Sequence, residues 1–284
     1  MTDNRLTEQF EAQRPRLRAV AFRMLGSRSE AEDALQDAWL RASRADISDV
    51  ENLGAWLTTV VARVCLNALR ARASRREDEL DDFTPDFVVG ADPLDQVALA
   101  DSVGIALLVV LETLSPSERL AFVLHDLFAL SFDEIAPLVE RTPTATRQLA
   151  SRARRRVRGR APAPDTDLVQ QREAVDAFFA AARDGDFEAL VAVLHPQATF
   201  RATGLGPVPF VLEGATTVAS NARMFGPDSA PHRHTIVNGA AGVFTTDGDR
   251  LASITSFTIA GGRILSIDVL ADPSRLSDYD MTTF

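Results

Sequence analysis

Residues 130–158 read LSFDEIAPLVERTPTATRQLASRARRRVR. Two short helices separated by a tight break account for this pattern. Ser131 offers an N-cap oxygen, and Glu134 three residues later completes a capping box. Ile135, Leu138 and Val139 mark one apolar face, and the first helix is expected to stop near Arg141. Thr142 is placed to cap the second helix, and Pro143 falls at its first position, where a missing N–H costs nothing. Ala145, Leu149, Ala153 and Val157 recur every four residues and are expected to face inward. Arg147, Gln148, Ser151, Arg152, Arg154, Arg155 and Arg158 fall on the other side. Pro137 removes one backbone hydrogen bond inside the first helix and predicts a local kink there. A helix, a break and a second helix with an Arg/Gln outer face is how a helix-turn-helix presents itself to the major groove of DNA.

A solvated face is the competing reading of any Arg-rich amphipathic helix. Charge distribution bears on the choice. Residues 141–160 hold eight Arg and no acid, whereas the whole chain is at −10. Residues 1–160 carry 22 basic and 25 acidic side chains, and residues 161–284 carry 8 and 15. A locally basic helix on an acidic chain suits phosphate contact. Arg147, Gln148 and Arg152 can also pair with base edges.

The chain has 284 residues, 46% hydrophobic and 25% charged, which predicts two or three globular domains. All 30 basic residues are Arg. That suits phosphate and guanine recognition, and it follows equally from a GC-rich genome. Cys65 is the single cysteine, so no disulfide forms within the chain, and its apolar helical context predicts a buried, inert thiol. The opening residues MTDNRLTEQF lack an apolar signal-peptide core, and the apolar run 105–111 is too short to span a bilayer. A cytoplasmic location is expected.

Helical signals dominate residues 1–76. Leu17, Val20, Ala21, Met24 and Leu25 give a first apolar face, and Gly26 ends it. Ser29 is expected to cap a helix over residues 30–42, EAEDALQDAWLRA, whose inner stripe is Ala31, Leu35, Ala38 and Ala42. Asp33, Gln36, Asp37, Leu40 and Arg41 lie outward. An Asp-rich loop over 44–52 follows, then a long helix over 53–75 with Trp56, Val60, Val64 and Leu66 on its apolar side.

SEAEDALQDAWLRA and NLGAWLTTVVARVCLNALRARASRR resemble region 2 of bacterial RNA polymerase sigma factors of the extracytoplasmic-function group. The resemblance implies that Asp33, Gln36, Asp37, Leu40 and Arg41 dock on the β′ clamp helices of core RNA polymerase. It implies that the following loop holds a flipped promoter base and that the next helix touches the −10 element. Asp46, Asn52, Thr59, Arg63, Asn67 and Arg70 are the candidates for this contact. An extruded base needs a pocket that bonds its edge, and an Asp/Asn-bearing loop supplies acceptors; a plain surface loop is the alternative.

Between Arg76 and Arg119 there are eleven acids and no base. Residues 77–93 read as an extended acidic linker, with a helix beginning near Leu94. Solvation alone accounts for such a linker; the resemblance favours a segment that threads the RNA path of polymerase. Residues 94–160 form a second all-α module: an apolar helix over 97–114, a helix capped by Ser115 or Ser117, and the helix-turn-helix. RTPTATRQLASRARRRV resembles the recognition helix of sigma region 4. The resemblance implies docking on the polymerase β flap and reading of the −35 element. Arg147, Gln148 and Arg152 would meet base edges, Arg154, Arg155 and Arg158 phosphates, and Ser151 belongs to the same −35-binding face. His125, set among apolar residues, reads as a satisfied semi-buried histidine.

APAPDTD, residues 161–167, is a hinge. Beyond it the pattern changes to helices over 168–183, with Val169, Val175, Phe178 and Phe179 inward, over 187–194, and over 213–225. Strands are expected over 198–203, 234–238, 241–246, 250–259 and 263–269, with hairpin turns at 247–249 and 260–262. Helices first and a curved antiparallel sheet after predict an α+β cone over 168–284. This resembles the SnoaL-like superfamily. VNGAAGVFTTDGDRLASITSFTIAGGRILSIDVLADPSRL is similar to the domain fused after region 4 in a subgroup of these sigma factors, the sigma-J-like ones. Two segments depart from that subgroup. ATGLGPVP, residues 202–209, stands where a DGGG-type loop is usual, and ADPSRL, residues 271–276, where an NPDKL-type segment is usual.

Such cones enclose an apolar pocket in which catalytic members place Asp or His. His195, Arg201, His232, His234 and Asp268 are the pocket candidates, with a small-molecule ligand as the expected occupant if there is one. His232 and His234 can share a strand face, but the sequence shows no third or fourth metal ligand. No metal, cofactor or enzymatic activity is expected. The leading expectation is a sigma factor that binds core polymerase and promoter DNA, regulated in cis by its third domain. A stand-alone helix-turn-helix regulator with a sensor domain is the alternative, and a SnoaL-like enzyme tethered to DNA is a third.

Overall fold

In the computed structural model, which describes residues 2–76, 86–89, 105–160, 165–206, 208–222 and 231–279, the chain begins with three long helices. These are α1 (Thr2–Leu25), α2 (Arg28–Ala42) and α3 (Leu53–Arg76). Gly26, at φ 75°, turns the chain between the first two. The cap of α2 is Ser27 rather than Ser29: its hydroxyl accepts from the Glu30 amide. Asp86 also serves this helix start, accepting from the Arg28 amide at 2.8 Å. The expected inner stripe of α2 is buried, with Ala34 added. In α3 the buried residues are Leu53, Leu57, Thr58, Val61, Ala62, Val64, Cys65, Leu66 and Leu69, so the expected Val64 and Leu66 are inside, while Trp56 and Val60 are only half-buried. Burial pushes the Cys65 thiol up to about 12, as an inert thiol requires.

The helices α4 (Ile105–Glu112), α5 (Pro116–Phe122), α6 (Phe132–Val139) and α7 (Pro143–Arg160) follow, with a π-helical turn over Val123–Leu127. Ser115 caps α5 and Ser131 caps α6, each in a reciprocal capping box with Glu118 and Glu134. The helix α6 runs through Pro137 and ends on Glu140 in the left-handed conformation. Thr142 accepts from the Ala145 amide and so caps α7. The face that α7 buries is displaced from the expected one: Thr146, Ala150, Ala153 and Val157 are inside, and Ala145 and Leu149 are half-exposed. A strict four-residue spacing advances 400° per step and walks around the helix, whereas the buried set alternates four, three and four. His125 is half-buried, hydrogen-bonded to the Leu130 carbonyl at 2.8 Å and stacked on Phe132.

Arg119 ties the helical part together. It is 2% exposed, pairs with Glu112 and donates to the Arg23 carbonyl. Burial lowers the affinity of this guanidinium for its proton, and the Glu112 carboxylate opposes that shift. The expected helix over 97–104 lies outside the described residues.

The described residues divide into two units, one holding those up to 86 and 108–160, the other holding 87–89, 105–107 and all from 165 onward. In the second unit α8 (Leu168–Asp184), α9 (Phe187–Val193) and α10 (Ala215–Asn221) lie against a six-stranded sheet of order β2-β1-β6-β5-β4-β3. The strands are β1 (Leu194–Thr203), β2 (Phe210–Glu213), β3 (His232–Val237), β4 (Ala240–Asp247), β5 (Arg250–Ala260) and β6 (Arg263–Leu270), and α11 (Pro273–Leu276) follows. The sheet is mixed rather than wholly antiparallel, because β1 runs parallel to β6. Phe178, Phe179, Phe200, Phe257 and Ile267 form its helix-side core. Val169 is 65% exposed and not inward, and β2 is a strand that pattern reading missed. No helix among the described residues is long and apolar enough to cross a membrane.

Candidate nucleic-acid interface

On α7, Arg147, Gln148, Ser151, Arg152 and Arg155 are exposed. Their surroundings differ. The Arg147 guanidinium lies over the Phe132 ring at 5.3 Å, which orients it without consuming its donors. Arg152 reaches Glu118 at 3.5 Å, and Arg156, which sequence reading omitted, pairs with the same carboxylate at 2.9 Å. Arg154 is half-buried and held by Asp126 at 2.6 Å. Arg154 therefore joins α7 to the π-helical turn and is less exposed than Arg147, Arg152, Arg155 and Arg156. The Arg158 side chain lies outside the described residues.

On α2, Asp33, Gln36, Asp37, Leu40 and Arg41 are all exposed, and Leu40 is 45% exposed. An acidic stripe with an uncovered leucine is a poor match to DNA and a good one to a protein surface.

The loop after α2 is ordered by its own polar residues. Asp46 accepts from the Ser48 amide at 3.0 Å, and these backbone and side-chain hydrogen bonds hold its carboxyl below the usual range. Asn52 accepts from the Ala55 amide at 3.0 Å and starts α3. Both candidates thus have structural tasks at the two ends of the loop. Along α3, Arg63, Asn67 and Arg70 are exposed and Thr59 is half-buried, its hydroxyl donating to the Trp56 carbonyl. A groove of about 380 Å³ is lined by Arg41, Trp56, Thr59, Val60, Arg63 and Leu138. Leu138 comes from α6, and Arg70 meets Glu140 at 3.7 Å. The outer side of α3 and the helix-turn-helix therefore face one another within the first unit.

The second unit holds residues 87–89. Val89 bridges Val237 in antiparallel fashion, the Asn238 amide donates to the Val88 carbonyl at 2.8 Å, and the Asn238 side chain accepts from the Val88 amide at 2.5 Å. Asn238 and Gly239 lie at φ 50° and 76°, the two left-handed residues that an Asn-Gly hairpin turn uses. The Tyr279 hydroxyl donates to the Phe87 carbonyl at 2.7 Å, and Phe87 is buried.

The five pocket candidates do not converge. Arg201 pairs with Asp268 at 2.6 Å, and Ser266 donates to the same carboxyl. By register this pair lies on the sheet face opposite Phe200 and Ile267, away from the three helices. His232 and His234 alternate along edge strand β3 on the helix side, where they register with Thr245 and Val243. His195 lies near the start of β1, its ring nitrogen accepting from the Gln197 amide. Burial first, then the charges of His234 and Arg183, holds the His232 imidazole below its ordinary value. Sequence reading missed Asp176 on α8, which approaches His234 at 2.9 Å. A separation of 58 residues and a change from helix to strand hide that neighbour from any local spacing rule.

The first unit thus carries an exposed, largely acidic stripe on α2 and an exposed Arg-rich face on α7, in the order of a two-module transcription factor. Residues 9–75 match the model for sigma-70 region 2, and residues 105–157 match that for sigma-70 region 4. The extracytoplasmic-function RNA polymerase sigma factor SigJ of Mycobacterium tuberculosis is 36% identical over 95% of this chain and 92% of its own length. The probable sigma factor SigI of the same species is 34% identical over 94% and 93%. The crystal structure of M. tuberculosis SigJ superposes with a TM-score of 0.72 at 33% identity, covering 95% of this chain and 98% of that one. The chain belongs to the family of extracytoplasmic-function RNA polymerase sigma factors.

Proposed function

We propose that this chain directs core RNA polymerase to promoters, with residues 1–76 as region 2, 77–93 as an acidic linker, 94–160 as region 4, 161–167 as a hinge and 168–284 as a regulatory domain acting in cis. The observation that carries this reading is the pairing, in one unit, of the exposed α2 stripe with the exposed Arg147, Gln148, Ser151 and Arg152 of α7. In this reading Asp33, Gln36, Asp37, Leu40 and Arg41 meet the β′ clamp helices. Asp46, Asn52, Thr59, Arg63, Asn67 and Arg70 meet the −10 element. Arg155 and Arg158 contact phosphates near the −35 element, and Arg154 reaches DNA only by leaving Asp126.

The packing of the two modules bears on activity. The −10 and −35 elements are about 25 base pairs apart, roughly 85 Å of duplex at about 3.4 Å per step. Yet Arg70 touches Glu140, and α7 with its 18 residues is only about 27 Å long. The described arrangement is therefore a closed one, and the modules separate before both elements are read. Control in cis is supported by residues 87–89, which the Asn238–Gly239 turn grips by backbone and side chain.

Run-off transcription with core polymerase tests the proposal, using the full chain and a chain ending after residue 160. A promoter-specific transcript from either is the expected result; none from any candidate promoter in either form would overturn it.

A further inference from the structure

We infer that Asp176, His232 and His234 form a binding site for a divalent transition-metal ion, on the helix side of the sheet where α8 meets edge strand β3. Among the described residues, these three place one ligating atom each within 4.8 Å of one another. His232 and His234 are two apart in a strand, so both rings project from the same face. The Asp176 carboxylate comes from α8 and touches His234 Nε2 at 2.9 Å. The site also has a built wall. The His232 ring stacks on Phe179 with centroids 3.8 Å apart and stands nearly perpendicular to the His234 ring. Phe179 is one helical turn beyond Asp176 and belongs to the domain core, so His232 has a fixed rotamer. The two remaining ligands are solvent-accessible, which gives an ion a way in.

Chemistry narrows the ion. Two imidazole nitrogens and one carboxylate oxygen suit Zn²⁺, and next Co²⁺, Ni²⁺ or Cu²⁺; Mg²⁺ and Ca²⁺ prefer all-oxygen sets. Donor atoms around an ion with bonds of about 2.0–2.1 Å lie roughly 3.0–3.4 Å apart. The three ligating atoms now lie within 4.8 Å of one another, and two of them, on His234 and Asp176, belong to exposed side chains. Three protein ligands leave at least one position for water or an outside ligand. Binding couples α8 to the sheet edge and thus couples the stability of the second unit to the supply of metal.

The experiment is titration of the full-length protein with Zn²⁺ by calorimetry, repeated with Co²⁺ by absorption spectroscopy. The expected result is one equivalent bound, a rise in Tm with added Zn²⁺, and a low-coordinate Co²⁺ spectrum. Asp176→Asn and His234→Ala are exposed changes that leave the core intact. Each is expected to weaken binding about tenfold or more, the scale seen when the surroundings of a metal are altered. Lack of binding in a folded wild-type protein, or binding of equal strength in both variants, would overturn the site and leave Asp176–His234 as a hydrogen-bonded ion pair.

Discussion

Arg147 and Arg155 are both exposed on α7, but different losses follow from removing them. Arg147→Ala or Arg152→Ala is expected to cost about 1–3 kcal/mol for one −35 sequence and little for a scrambled duplex. Arg155→Ala is expected to weaken both alike and to lower the salt slope of log K by about 1. Competition binding with polymerase holoenzyme at two salt concentrations separates the cases. Equal losses on both duplexes for all three changes would refute the assignment of base readers. A pH effect belongs to this scale as well. The Ser131 hydroxyl and backbone amide hold the Glu134 carboxyl below its usual range. A depressed pKa gives stability that is complete above the ordinary carboxylate range and is lost as pH falls through the folded value. Ser131→Ala is expected to cost about 1 kcal/mol at neutral pH. The gap to wild type in urea melts should then narrow as the solution is acidified through that range.

At the scale of elements, the hairpin of β3 and β4 does two things. Gly242 allows close packing, since a Cβ there would lie 2.5 Å from Val237 Cγ2 and 2.8 Å from the Thr255 carbonyl oxygen. Gly242→Ala is expected to destabilise the second unit by about 1–3 kcal/mol, as over-packing does, measured by thermal or chemical melts. The turn of the same hairpin grips residues 87–89. Asn238→Ala removes the acceptor for the Val88 amide and puts alanine at φ 50°. Hydrogen exchange should then speed up at Val88 while β5 and β6 stay protected; unchanged exchange at Val88 would show that the grip does not depend on this side chain. Two helices also show how an apolar pattern misleads. On α3 the large side chains Trp56 and Val60 looked central and instead line a groove. On α7 the buried stripe lies beside the one expected. On α3 apolar residues occupy more than one side, and on α7 the four-residue spacing drifts off the buried face, so in both the packing partners choose the face.

For the whole molecule, the closed packing of α3 against the helix-turn-helix makes a mechanical prediction. Arg70→Cys and Glu140→Cys together should accept a short thiol cross-linker, because the native pair is in contact and Cys65 is buried with its thiol held protonated. Cross-linking is expected to abolish promoter-specific transcription relative to the same variant left uncross-linked. Full transcription by the cross-linked protein would mean that the modules need not part.

The helical character of the first modules, the acidity of residues 77–93 and the α+β character of the last domain were legible in the sequence, because capping, hydrophobic period and turn chemistry act over a few residues, whereas the module types were legible from the family resemblance. Ser131 with Glu134, Thr142 with Pro143, and the turns at 247–249 and 260–262 are cases where local hydrogen bonding alone decides the conformation. The outward set of α2, Asp33, Gln36, Asp37, Leu40 and Arg41, was legible for the same reason, since its period marks what faces out. The state of each arginine on α7 was not: Asp126 and Glu118 choose between Arg154, Arg156 and Arg155 only after the chain has folded back. Likewise the parallel pairing of β1 with β6 and the meeting of Asp176 with His234 depend on contacts across 58 residues or more. Local propensity carries no term for such contacts, and the tertiary structure alone decides them.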